Sequence, residues 1–194
     1  QVFNNKAGRI DPAGPVFLGY QAGNSNTATS NIGIGYQALY SNIAGTQNTA
    51  IGRSLYWNNS GSYNTATGYG ALFANISGSS NSAFGFYALQ DNTGDNNTAI
   101  GNWALNGNIA GNNNTAVGKS AFQAGTYSNS TALGANAAMT VSNKVRIGDA
   151  TVTVVEGQVA YSWPSDGRFK NNITEEVKGL DFINRLRPIV YNFD

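Results

Sequence analysis

The chain has no cysteine and no histidine among its 194 residues. That excludes disulfides, thiol chemistry and the usual zinc sites. Charge is scarce too: 11% of residues are charged, against roughly 25% in an ordinary soluble domain. The formal net charge is +1, so neither nucleic acid nor an anionic membrane is an expected partner. No apolar run approaches the ~20 residues that cross a bilayer, so membrane insertion by this segment is not expected. Phosphate-loop and dinucleotide patterns are missing, since "GIGYQAL" has no strand–turn–helix context. A calcium roll needs an aspartate in every turn, and only Asp91 and Asp95 lie in the loops. No cofactor or metal is expected. The first residue is Gln and no signal peptide is visible, so the sequence reads as processed or as part of something longer.

What the chain has instead is repetition. Gly19, Gly35, Gly52, Gly68, Gly85, Gly101, Gly118 and Gly134 follow one another at intervals of 16 or 17 residues, and Gly148 follows after 14. Four residues before this anchor stands Asn31, Asn48, Asn64, Asn81, Asn97 or Asn114, with Ser130 last. Three residues after it stands alanine, except at Leu55, and then usually leucine. A second glycine (Gly45, Gly61, Gly78, Gly94, Gly111) precedes the next anchor by seven.

Such a unit is too short for a helix pair and too rich in glycine for helix. It fits a coil of two short strands and two turns, with Gly and Asn at the corners. About nine stacked coils, strand on strand at ~4.8 Å, give a shaft of roughly 40 Å, and the repeated asparagines become ladders along it. In "TAIG" and "WAL" adjacent strand residues are both apolar, and adjacent strand residues face opposite ways. One face would fill the thin interior; the other would need a partner, which implies obligate association of identical coils side by side.

The pattern N-T/S-A-(I/V/F/L)-G-x-x-A-L, over residues 19–148, resembles the head repeats of YadA-like trimeric autotransporter adhesins. That resemblance implies a left-handed parallel β-roll, a homotrimer and an extracellular role in attachment. The family's unit is shorter, so the extra residues are expected in outer loops such as "NIAGTQ", "NNSGSY" and "NISGSS".

Four segments follow: an N-terminal lead-in (1–18), an all-β repeat shaft (19–148), a short β neck (149–164) and a small α+β piece (165–194). Fourteen charges fall from Thr140 onward. The neck reads as strands with a turn at Glu156-Gly157. In the last segment Leu180, Ile183 and Leu186 have helical spacing, Pro188 ends that helix, and "IVYNF" reads as a strand.

Ser165, Asp166, Arg168, Lys170, Asn172 and Ile173, with Gly179, Leu180, Ile183, Leu186, Arg187, Pro188 and Tyr191, resemble the opening of the intramolecular chaperone domain of endosialidases and phage tail spikes. That resemblance implies trimer assembly followed by a single self-cleavage before Ser165, with Ser165 and Lys170 as the catalytic pair. In that chemistry the serine hydroxyl attacks the preceding carbonyl and an amine takes its proton.

Two further classes arise from the shaft. Tyr36, Tyr69 and Phe86 follow the anchor glycine, with Tyr87 and Trp103 one residue on; flat rings on an uncharged face are candidate glycan-binding residues. The competing reading is that the rings stack on one another between coils. Threonine rows could bind ice, but within the repeat Thr-x-Thr occurs only at Thr27/Thr29 and Thr65/Thr67, and the third position is usually an apolar residue expected to be buried. The leading expectation is a trimeric fibre, on a tail or cell surface, that meets a host or neighbouring-cell receptor such as a glycan. The alternatives are an autoproteolytic precursor and an ice- or glycan-binding solenoid.

Overall fold

A computed structural model describes residues 8–10, 14–123 and 125–158. These are all-β, forming a parallel solenoid. Ten three-residue strands make one sheet in chain order: β1 Gly8–Ile10, β2 Val16–Leu18, β3 Ile32–Ile34, β4 Thr49–Ile51, β5 Thr65–Thr67, β6 Ser82–Phe84, β7 Thr98–Ile100, β8 Thr115–Val117, β9 Thr131–Leu133 and β10 Val145–Ile147. β1 runs antiparallel to β2; every later pair is parallel, with alanine opposite alanine from β4 to β9. From β2 to β10 the chain makes about eight windings, roughly 38 Å at the strand spacing of ~4.8 Å.

Each coil has one strand, where the sequence suggested two. The Ala-Leu segment is a run of turns. Leu39, Leu55, Leu72, Leu89 and Leu105 sit at φ between 48° and 52°, in left-handed backbone. This breaks strand alternation, so Ala104 and Leu105 are both fully buried rather than on opposite faces. A left-handed non-glycine residue costs about 1 kcal/mol or more. Stacking offsets this, because each of these N–H groups donates to the next coil: Leu72 to Ala88 at 3.0 Å, Leu89 to Ala104 at 2.9 Å, Leu105 to Ala121 at 2.9 Å.

The coil after Gly52 corrects the row assignment. Leu55 is not a substituted alanine but the leucine of its coil; Ser54 holds the alanine position, buried, with its hydroxyl donating to Ala66 O at 3.1 Å. One residue is missing just after Arg53, yet the strand register on either side is unchanged. The basic coil is therefore 17 residues, and the 16-residue coils each drop one at a corner. The 14-residue step to Gly148 loses its residues at the far corner, where Val141 follows Ala138 by three while Gly111 follows Leu105 by six. That places the extra residues of the longer coils in the outer loops, as expected.

The interior is a column of strand alanines, a column of leucines and two asparagine ladders. In the anticipated ladder, Asn48, Asn64, Asn81, Asn97 and Asn114 each donate a backbone N–H to the Oδ1 of the preceding asparagine at 2.9–3.0 Å. The second ladder links side chains: Asn42, Asn58 and Asn75 donate from Nδ2 to Asn26, Asn42 and Asn58 at 2.6–2.7 Å. The second glycine makes room between ladders, since a Cβ on Gly61 would lie 2.2 Å from Gly78 O.

After β10 a tight turn forms at Asp149, whose carboxylate accepts the Thr151 N–H at 2.8 Å and hydroxyl at 2.7 Å. These bonds, and then Arg146, hold its pKa below the ordinary aspartate value. Residues 152–155, read from sequence as strand before the turn at Glu156-Gly157, form none. The chain divides into two units between Val155 and Glu156. The rest of the neck, the expected helix and strand near the C-terminus, and the pair Ser165 and Lys170 lie outside the described residues.

Candidate functional site

Three surfaces follow from this frame. On the sheet, the central residue of each strand from β2 to β9, alanine from β4 onward, points inward, so its two neighbours point out. The third strand position is therefore exposed, contrary to the burial expected for it: Leu18, Ile34, Ile51, Phe84, Ile100, Val117, Leu133 and Ile147 form one column, with Thr67 its polar member. Beside it runs a half-buried column including Thr49, Thr65, Thr98, Thr115 and Thr131. Only Thr65/Thr67 is a threonine pair on the sheet; Thr27/Thr29 lies at a corner. At about 40% exposure per side chain, the apolar column presents roughly 600 Å², the upper end of the largest patch on a typical monomer.

The second surface is the aromatic corner. Tyr20 stacks on Tyr36 with centroids 5.8 Å apart, and Tyr69 on Phe86 at 5.7 Å. Arg53 takes the intervening place, its guanidinium 5.9 Å from the Tyr36 ring and 5.8 Å from Tyr69, with Nη1 donating to the Tyr69 hydroxyl at 3.0 Å. It also lies over Tyr56 at 4.9 Å and Phe73 at 5.3 Å, joining two aromatic rows at the corner that is one residue short. Burial works against its charge, but the hydrogen bond and attraction of Tyr69 and Tyr56 hold its pKa above the ordinary arginine value. Its Nε is buried without a hydrogen bond among the described residues.

Tyr87 meets Phe86 edge-on at 4.4 Å and Trp103 at 5.0 Å. Burial, then Tyr69, push the Tyr87 phenol up, against the opposing pull of Arg53. The candidate rings Tyr69, Phe86, Tyr87 and Trp103 thus form one contiguous cluster, which Arg53 extends to Tyr36. They stack between coils, each pair contributing about 0.5–1.5 kcal/mol.

The third surface was not singled out by sequence: Trp57, 47% exposed, beside Ile43 and Ile76. The signal was its row, since the equivalent residues of neighbouring coils are Ser25, Ser41 and Ala74, where the coil has no need of a large ring.

Asn58 and Asn75, which begin Asn-x-Ser sequons, are fully buried ladder members. Among the described residues, no group of three or more His, Cys, Asp or Glu could hold a metal ion, and no helix is long and apolar enough to cross a membrane. No protein-family model, no curated protein and no solved structure matches the chain, so the likenesses to adhesin heads and to phage chaperone domains rest on the sequence pattern alone.

Proposed function

We propose that this chain is the shaft segment of a homotrimeric extracellular fibre, whose copies turn their strand faces toward a common axis and present the opposite surfaces for attachment to a host or neighbouring cell. The observation that carries this reading is the exposed column on the parallel sheet, apolar at every rung from β2 to β10 except Thr67. All rungs but Thr67 repeat the same side-chain class, so a second copy in register meets like with like. Burying roughly 600 Å² at about 25 cal/mol per Å² would contribute on the order of 15 kcal/mol per protomer before the costs of association. Threonine beside isoleucine keeps the rim polar, as in ordinary interfaces. The repeat's likeness to trimeric adhesin heads supports the number three.

Light scattering after gel filtration tests it. Each chain is 20.4 kDa, and the wild type should elute at three times that mass. Ile51→Asp with Ile100→Asp, two exposed rungs, should give a monomer that keeps its β circular-dichroism spectrum. A well-folded wild-type monomer at micromolar concentration would overturn the reading.

A further inference from the structure

We propose that the groove beside Trp57 is a binding site for a neutral sugar ring of the N-acetylhexosamine class. This deepens the attachment role proposed above and rests on it. The groove has a volume of about 310 Å³ and is lined by Ser41, Ile43, Trp57, Asn59 and Ile76. That is the lower end of small-molecule sites, enough for one ring rather than a long chain. None of the five lining residues is charged, which matches a neutral ligand and disfavours an acidic one.

The indole is held ready. It meets Tyr56 edge-on at 4.8 Å and 83°. Tyr56 is itself clamped between Tyr40 at 4.8 Å and Phe73 at 5.0 Å, both stacked nearly parallel to it. Unlike the corner rings, Trp57 has no stacked ring partner among the described residues. The backbone around it is fixed by bonds between coils: Ile43 and Ala44 N–H both donate to Asn59 O, and Ser60 N–H to Ile76 O. A preformed site forfeits little ordering entropy on binding.

The polar groups are placed and unused. The Ser41 hydroxyl, the Asn59 side-chain amide and the Trp57 Nε1–H have no hydrogen-bond partner among the described residues. A sugar's C–H face suits the indole plane. Its hydroxyls and acetamido carbonyl suit the Asn59 amide and the Ser41 hydroxyl, and the acetamido methyl suits Ile43 and Ile76, which are 52% and 54% exposed.

Saturation-transfer NMR and calorimetry with a β-1,4-linked N-acetylglucosamine trimer, against a β-1,4-linked glucose trimer, test this on the full chain. The expected result is saturable binding of the first sugar, with transfer strongest to the acetamido methyl. Trp57→Ala should weaken it at least tenfold, and so, by a smaller factor, should Asn59→Ala at an exposed position that cannot unfold the coil. No saturable binding, binding unchanged in Trp57→Ala, or equal binding of the glucose trimer overturns the proposal. Mass measured on the same samples keeps the two readings apart: a trimer that ignores the sugar defeats the site alone, and a monomer that binds it defeats the trimer alone.

Discussion

Asn64→Ala is the sharpest test of what holds the coils together. Asn64 is fully buried. Its Nδ2 donates to Gly78 O at 2.8 Å and its Oδ1 accepts the Asn81 N–H at 2.9 Å. Gly78 O keeps a second donor, Asn75 Nδ2 at 2.7 Å, so its loss is partial. The Asn81 N–H is left with nothing. An orphaned buried donor costs about 1–3 kcal/mol and the second lost bond about 0.5–1.5, giving roughly 3 kcal/mol together. For a chain of this size that is a melting shift of roughly 6–12 °C.

The control is Asn59→Ala, an exposed residue whose side chain has no hydrogen bond among the described residues, expected within about 0.5 kcal/mol of wild type. Asn64→Asp should be at least as damaging as alanine: it keeps an acceptor for Asn81 but aims a second acceptor at Gly78 O and buries a charge. Thermal melts by circular dichroism give the overall shift. Amide exchange at Asn81 gives the local one, which matters because stacked coils open locally. If Asn64→Ala melts within 2 °C or so of Asn59→Ala and the Asn81 amide exchanges as slowly as before, the ladder does not carry the stability assigned to it.

Two more predictions follow from the same ladders and from the corner. Among the described residues the Asn108 side chain has one bond, to Gly111 O at 3.2 Å, and a buried Oδ1 with no partner; Asn108→Ala should therefore cost less than half of what Asn58→Ala does in parallel melts, and an equal loss would contradict the pairing scheme. Tyr87, with its phenol pKa raised, favours the neutral form when folded, so its contribution is complete below the ordinary tyrosine value of about 10 and is lost as pH rises through its own higher pKa. An ultraviolet titration should show a late-ionising tyrosine that Tyr87→Phe removes; a single titration of all tyrosines near the ordinary value would refute it.

The solenoid, its spacing and the Asn31-to-Asn114 ladder were legible because each coil restates them, so local turn chemistry and long-range stacking agree. The leucine conformation was not legible. By local preference Ala104-Leu105 reads as strand or helix, and only bonds to the next coil force Leu105 into left-handed backbone. Leu55 was misplaced for a simpler reason: counting from Gly52 cannot see a residue dropped between the anchor and the row. Half of the two-faced apolar reading held, since Ile100 points out while Leu105 turns in. Arg53 and Trp57 escaped notice because both depart from their rows, and a departure shows only once the rows are correctly aligned.

The coil-on-coil register has a kinetic corollary. Parallel partners such as Thr49 and Thr65 are 16 residues apart in a 194-residue chain, so the relative contact order is about 0.08, within the range of helical bundles rather than of β-sandwiches. Once one winding exists, the next has only a short loop to close before it gains a full rung. An all-β solenoid built this way is expected to zip from a nucleus along its length, quickly and in steps, instead of waiting for distant strands to meet.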